Sequence, residues 1–185
     1  MMDLHIKNMV CPRCIQAVRG ILESMGLAVV QVNLGDAEIE GELSESQEVQ
    51  LARLLEEQGF SLLDDPRSQL VEQIRVSVME WVRMEAERPR LSDFLSRRLA
   101  RDYSSLSKLF SEVRGITIER FAILHRIEYA KELLCYSQQS ASQIAYQLGY
   151  SSPAHLTAQF KQVTGMTPKA FREQRDKHRI ALSDI

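Results

Sequence analysis

The chain reads LSKLFSEVRGITIERF at Leu106–Phe121 and LTAQFKQVTGMTPKAF fifty residues later, at Leu156–Phe171. Leucine, phenylalanine, valine, glycine, threonine and phenylalanine coincide when the two stretches are aligned, at positions expected to face a core or to end a helix. Similarity at a fixed offset marks a repeated supersecondary unit. The sequence therefore predicts two copies of one helical motif in the second half of the chain.

The later copy is predicted to contain a short helix, a turn and a second helix. The first helix spans residues 142–148, and Gly149 can close it in the left-handed conformation. Ser152 and Pro153 then provide an N-cap and a proline at the first helical position. The pattern is that of a helix-turn-helix motif.

The earlier copy follows the same plan with a shorter turn. Its helices are predicted at residues 92–99 and 103–113, and Ala100 stands where the later copy has glycine. A long helix over residues 117–134 joins the two copies. The second half is therefore predicted to be an all-α domain with two helix-turn-helix motifs on a shared strut.

The first 65 residues alternate strand and helix signals. A capping box begins at Ser44, and Gly59 stands where a left-handed residue would end the second helix. The predicted order β-α-β-β-α-β is the ferredoxin-like unit, an antiparallel four-stranded sheet covered by two helices. The strands are expected at residues 3–9, 29–34, 37–43 and 60–63, and the helices at 12–25 and 44–58.

The whole chain is therefore predicted to be an α+β protein of two domains. Residues 64–67, Asp-Asp-Pro-Arg, break the first pattern, so the expected domains are residues 1–65 and 68–175, followed by a tail over 176–185. Residues 68–86 are predicted to form a helix with an apolar face, which could dimerise but which we expect to pack on the second domain.

The distribution of charge separates the two halves. The net charge is −2, but residues 1–66 hold four basic and twelve acidic residues, a net of −8. The remaining residues have a net charge of +6. An asymmetry of this kind indicates a polyanion-binding segment, although two solvated surfaces of opposite sign would look the same.

Several classes of protein are excluded by what the sequence lacks. No apolar run approaches the roughly 18 residues of a membrane span, and the first residues do not resemble a signal peptide. We therefore expect a cytoplasmic protein, with no membrane partner and with reduced thiols. The sequence contains no Ser/His/Asp order, phosphate loop or HExxH motif, so we expect no enzyme.

A long motif runs from Arg126 through Gly149-Tyr150-Ser151 to Thr167-Pro168 and Arg172. With it, residues 68–175 closely resemble the DNA-binding domain of AraC/XylS-type transcriptional regulators. The resemblance implies double-stranded DNA as the partner and two recognition helices in successive major grooves. The positions where the family has base-reading side chains are Ser104, Ser107 and Lys108 in the first recognition helix, and Ala154, His155, Thr157, Ala158 and Gln159 in the second.

Basic residues near these positions are candidates for contacts with phosphates. Such contacts provide affinity and salt dependence but no choice of sequence. Arginine often occupies the family position of Ala158, so the second recognition helix has less charge than is usual. The candidates are Arg101, Lys161, Arg172 and Arg175.

A Met-x-Cys-x-x-Cys loop, Met9 to Cys14, lies between the first predicted strand and the first predicted helix, and Gly59-Phe60 form a glycine-aromatic pair at the last strand. In these features residues 1–65 resemble a heavy-metal-associated domain, the module of copper chaperones and metal-pumping ATPases. Asn8 stands where the family usually has glycine. The resemblance implies a soft metal ion held by Cys11 and Cys14.

The chemistry of the two cysteines leaves three interpretations open. Cys11 is expected at a helix cap, where the helix dipole favours the thiolate. Two thiolates select a soft ion, Cu(I) first, with Zn(II) or Hg(II) as alternatives. The same pair could be a dithiol redox sensor, or the domain could be a metal-independent module for a homodimer. His5 is interpreted as a surface residue, and Cys135 has no predicted role.

Overall fold

The computed structural model describes residues 1–84 and 88–173 of the chain. The protein divides into two compact units, Met1–Val76 and Ser77–Ile185. The sequence placed the boundary at residues 64–67, about ten residues earlier. The difference arises because the first part of a helix packs with the first unit.

The first unit has the element order that the sequence predicts. Its four strands form one sheet of order β2-β3-β1-β4, and every neighbouring pair is antiparallel. Most of the strands end earlier than predicted; Asn8 and Gly41, with φ +75° and +81°, leave the extended conformation after β1 and β3. The elements are β1 (Met2–Lys7), α1 (Pro12–Ser24), β2 (Val29–Asn33), β3 (Asp36–Ile39), α2 (Glu45–Glu57) and β4 (Ser61–Leu62).

Local sequence explains where the helices of this unit begin and end. The Ser44 side chain accepts from the backbone N–H of Gln47, and the Gln47 side chain accepts from the backbone N–H of Ser44 at 2.9 Å. This is the predicted capping box at the start of α2. After the helix, Gly59 has φ +81°, the left-handed value expected there. Both predictions are confirmed.

A third helix, α3 (Pro66–Arg83), contributes residues to both units. Asp65 accepts from the backbone N–H of Ser68 at 2.9 Å and so caps its start, two residues before the predicted one. Gln69 donates to the carbonyl oxygen of Leu63 at 2.8 Å. Val76 lies so close to Gly35 that a Cβ there would be 3.1 Å from its Cγ2 atom. These contacts place the first part of α3 in the first unit.

The second unit continues with six helices in its described part. Their bounds differ from the predicted ones by one or two residues. The largest difference, two residues, is at the end of α6; α7, which Ser140 caps with Gln143 in a second capping box, begins and ends one residue early. The helices are α4 (Leu91–Leu99), α5 (Tyr103–Arg114), α6 (Ile118–Tyr136), α7 (Ala141–Gln147), α8 (Pro153–Thr164) and α9 (Pro168–Glu173).

The repeated residues build the core of the second unit. Phe110 and Phe121 have ring centroids 5.3 Å apart, and the equivalent Phe160 and Phe171 have theirs 5.5 Å apart. All four are buried. The two repeated valines differ, because Val113 is 46% exposed whereas partly buried Val163 packs against the core. The prediction of a core-facing valine is therefore wrong for Val113.

The repeated glycine and threonine end one helix and start the next. Gly115 and Gly165 have φ +70° and +81° at the ends of α5 and α8. Thr117 then accepts from the backbone N–H of Arg120 at 3.1 Å and caps α6. Thr167 does the same for Ala170 at the start of α9. The helix-ending part of the repeat is confirmed.

No helix within the described ranges is long and apolar enough to cross a membrane.

Candidate DNA interface and thiol site

The first helix-turn-helix motif consists of α4, a tight turn and α5. Ala100 ends α4 with φ +50°, which is the left-handed conformation that glycine has in the later copy. Asp102 caps α5 by accepting from the backbone N–H of Ser105 at 2.9 Å. Hydrogen bonds from the side chains of Ser104 and Ser105 hold the pKa of Asp102 well below its usual range. The carboxylate is therefore charged at the N-terminus of α5, where the helix dipole favours it.

The three residues predicted in α5 lie on one outer face of that helix. Ser104, Ser107 and Lys108 are three and four positions apart, which places them together on an α-helix. Ser104 and Lys108 are exposed, and Ser107 is half-buried. The Ser104 hydroxyl donates to Asp102 at 2.6 Å. Lys108 is thus the one charged side chain among the three.

The second motif has an arginine at its turn that the sequence analysis missed. Arg88 donates to the carbonyl oxygens of Leu148 at 3.0 Å and Gln147 at 2.9 Å. Gly149 has φ +73°, and a Cβ there would be 3.4 Å from the Arg88 Nε atom. Arg88 thus satisfies carbonyl groups that the end of α7 leaves free. No local sequence pattern indicates this role, because Arg88 lies 60 residues from Leu148.

The second recognition helix, α8, starts as predicted. Ser152 accepts from the backbone N–H of His155 at 3.2 Å, and Pro153 is the first helical residue. Buried Leu156 and Phe160 hold its inner face in the core. The buried inner face therefore fixes the position of α8, and with it the position of the exposed outer face.

The five residues predicted to read bases from α8 differ in exposure and in their hydrogen bonds within the unit. Ala154, His155 and Ala158 are exposed. The Thr157 hydroxyl donates to the carbonyl oxygen of Pro153 at 2.9 Å. Half-buried Gln159 accepts from the Tyr150 hydroxyl at 2.6 Å, so its carbonyl oxygen is engaged within the unit.

The residues predicted to bind phosphates also differ in exposure and in their hydrogen bonds. Arg101 and Lys161 are exposed. Arg172 donates to the carbonyl oxygens of Leu134 at 3.2 Å and Gln139 at 2.6 Å, so its position is explained by the C-terminal end of α6. Arg175 lies outside the described residues.

The two predicted cysteines lie together at the start of α1. Cys11 is the N-cap, and Pro12 is the first helical residue, as predicted. The two sulfur atoms are 3.4 Å apart, and the backbone N–H of Val10 donates to the Cys14 sulfur at 3.5 Å. Both thiols are free and half-buried. Cys135 is also free and half-buried, in α6 of the other unit.

The environment of Cys11 favours its thiolate. Burial raises the pKa of the thiol, but hydrogen bonds from Cys14 and Arg13 and the positive charge of Arg13 together outweigh it, so the net pKa lies below the ordinary value. A thiolate is the form that binds a metal ion or attacks a disulfide.

The donor set fits a soft ion with two protein ligands. Among the described residues, no group of three or more histidines, cysteines or carboxylates could hold a metal ion, and half-buried His5 joins no such group. A structural zinc site needs four ligands, so this pair suits Cu(I) better. If the zinc–sulfur distance of about 2.3 Å is taken as a guide, two sulfurs on opposite sides of an ion are about 4.6 Å apart. The thiols must therefore separate from 3.4 Å to hold an ion in that way.

The comparison with protein families concerns the second unit. The family model described as "Helix-turn-helix domain" matches residues 95–174. The matched segment includes α5 to α8 and so most of the two motifs described above. Residues 95–174 are thus similar to a helix-turn-helix domain. The match lies within the part of the chain that resembles AraC/XylS-type regulators.

Two relatives that share a similar stretch with this chain are regulators by name. An uncharacterised HTH-type transcriptional regulator of Staphylococcus aureus is 42% identical over 72 residues, which is 39% of this chain and 10% of that protein. Regulatory protein PocR of Salmonella typhimurium is 38% identical over 68 residues, 37% of this chain and 22% of PocR. The chain thus spans about a tenth to a fifth of the length of these relatives.

One solved structure supports the fold of this domain. The C-terminal domain of AraT, a response regulator from Geobacillus stearothermophilus, aligns with a TM-score of 0.52 at 20% identity. The alignment covers 63% of this chain and 92% of that one. At this identity the similarity concerns the fold alone.

Proposed function

We propose that this protein is a sequence-specific DNA-binding transcription regulator of the AraC/XylS type. The observation that carries the proposal is the pair of helix-turn-helix motifs, α4–α5 and α7–α8, most of which lies in the segment matched by the helix-turn-helix family. The exposed faces of α5 and α8 are the surfaces that would enter the major groove. The groove admits an α-helix, and its base edges distinguish all four base pairs.

The two recognition helices make unequal electrostatic contributions. Lys108 adds a positive charge to the outer face of α5, whereas the exposed Ala154 and Ala158 of α8 carry none. We therefore assign more of the charge-dependent binding to the first motif. The second motif then relies on shape, on His155 and on Lys161.

Replacing Lys108 by alanine is expected to weaken binding to all DNA sequences to a similar degree. A lysine that neutralises one phosphate adds about one unit to the slope of log affinity against log salt, so the slope should fall by about 1. The measurement is fluorescence anisotropy from 50 to 300 mM salt. Lys7→Ala, an exposed lysine of the first unit, is the matched control; equal slopes for the two variants would contradict this assignment.

Selection from a random duplex pool tests DNA binding itself. We expect an enriched site with two blocks of preferred bases about 10 base pairs apart, because the two motifs would read successive turns of one face. Enrichment of no sequence, or of one block only, would overturn the double-motif account.

We propose further that the first unit is a ferredoxin-like, heavy-metal-associated module that binds Cu(I) through Cys11 and Cys14. Its support is the thiol pair at the start of α1, the lowered pKa of Cys11 and a donor set without further ligands among the described residues. A bound ion would join the two thiolates and add positive charge at this loop. Binding that differs between two states of the protein would change its affinity for DNA. We expect it to act in the cytoplasm, where thiols remain reduced.

A dithiol redox sensor is the second candidate, favoured by the 3.4 Å approach of the sulfurs. Oxidation would draw the sulfurs together to about 2.05 Å, whereas the metal interpretation requires them to separate. Measuring DNA affinity for reduced metal-free, oxidised and Cu(I)-loaded protein separates the candidates. A change on oxidation alone supports the redox sensor, and a change on Cu(I) loading supports the metal sensor.

A further inference from the structure

A buried ion pair on α3 contacts the loop that precedes Cys11. Arg75 donates to Glu72 through two nitrogens, at 2.9 and 2.6 Å. Their side chains are only 5% and 6% exposed. Removing two charges from water is costly, and such a pair often stabilises a protein no better than apolar residues of similar size. Its presence therefore calls for a role other than stability.

The pair holds the backbone on both sides of one peptide bond. Glu72 accepts from the backbone N–H of Asn8 at 3.3 Å, and Arg75 donates to the carbonyl oxygen of Met9 at 3.1 Å. Asn8 also donates through its side chain to the carbonyl oxygen of Gly59 at 3.0 Å. Asn8 has φ +75°, a left-handed value that asparagine adopts more readily than most residues with a side chain. The surrounding contacts hold the loop in this conformation.

This loop leads directly to the thiols. Only Val10 lies between Met9 and Cys11, and the backbone N–H of Val10 donates to the Cys14 sulfur. A loop fixed at Asn8 and Met9 therefore limits how far the Cys11 sulfur can move from that of Cys14. The thiols must separate by about 1 Å if they are to hold an ion between them on opposite sides.

We infer that the Glu72–Arg75 pair opposes metal binding. It does so by holding the loop at Asn8 and Met9 in the conformation in which the Cys11 and Cys14 sulfurs are 3.4 Å apart. The inference rests on the proposed Cu(I) site. Metal binding then loosens the contacts of the pair with Asn8 and Met9. Because coupling between two events is reciprocal, removing the pair must tighten metal binding. A residue that merely supported the site would have the opposite effect when removed.

The test compares Cu(I) affinities of full-length proteins. In Glu72→Leu/Arg75→Met, apolar residues replace both charges, so no charge of the pair remains unpaired. Arg75→Lys is a second variant, because a single ammonium group cannot reproduce the bidentate contact and the contact with Met9 together. The matched control is Glu128→Leu/Lys131→Met, which removes another buried ion pair with the same spacing, within α6. Affinity is measured without oxygen by competition with bathocuproine disulfonate.

We expect the first double variant to bind Cu(I) about tenfold more tightly than wild type. Arg75→Lys should change in the same direction by less, and the control should not change. In wild-type protein, hydrogen exchange of the Asn8 amide should become faster on Cu(I) loading. Unchanged or weaker affinity in both Arg75 variants would overturn the inference while leaving the Cu(I) site intact. Absence of Cu(I) uptake by wild-type protein would overturn the site and the inference together.

Discussion

Replacing Phe160 by alanine is expected to lower the unfolding free energy of the second unit by about 3–5 kcal/mol. The ring of Phe160 is fully buried and packs edge-on against Phe171, with centroids 5.5 Å apart. Removing it leaves a cavity under α8 and takes away the surface on which that helix rests. Urea denaturation followed by fluorescence measures the effect in this unit, because the only tryptophan of the chain is Trp81.

Two further variants serve as an exposed control and as an intermediate case for this loss of stability. Tyr136→Ala, at an 80% exposed position of α6, should change stability by less than about 0.5 kcal/mol. Phe160→Leu should be intermediate, since it keeps most of the apolar volume. DNA affinity should fall in the order of these losses, while Cu(I) uptake by the first unit stays unchanged. If Phe160→Ala is as stable as Tyr136→Ala, the repeated phenylalanines do not form the core described here.

Changing both Cys11 and Cys14 to serine is expected to abolish stoichiometric Cu(I) uptake. Hydroxyl groups are harder ligands than thiolates and do not ionise near neutral pH. The fold should remain intact, because both thiols are half-buried and serine is a better N-cap than cysteine at the start of α1. Metal analysis and thiol counting on protein purified without oxygen measure the result.

Cys135→Ser provides the matched control. Cys135 is also free and half-buried, but it lies in α6 of the second unit. This variant should bind as much Cu(I) as wild type. Equal Cu(I) uptake by all three proteins would remove Cys11 and Cys14 as the metal ligands.

The parts of the fold that the sequence predicts well are those decided by neighbouring residues. The capping box at Ser44, the proline after Cys11 and the glycine at the end of α8 each act within a few positions along the chain. Internal repetition then extended these local signals to a whole domain. For this reason the helix bounds of the second unit were predicted to within one or two residues.

The rest depends on contacts between distant residues. Arg88 and Leu148 are 60 positions apart, and Arg75 and Met9 are 66 apart. The boundary between the units lies inside α3 because the first part of that helix packs with the first unit. Nothing in the sequence of α3 itself indicates this boundary. Gln159 was assigned to base reading by its position, but its carbonyl oxygen is engaged by Tyr150. Periodicity places a residue on a helix face; it does not identify its neighbour.

The most direct test of a metal-responsive DNA-binding regulator is the affinity of full-length protein for its selected DNA site, with and without one equivalent of Cu(I). The account predicts a change in Kd of about 5- to 150-fold, the usual range of coupling between two sites. It also predicts that Cys11→Ser/Cys14→Ser shows no change while Cys135→Ser responds as wild type does. An identical Kd with and without Cu(I) in wild-type protein that has demonstrably bound the ion would contradict it.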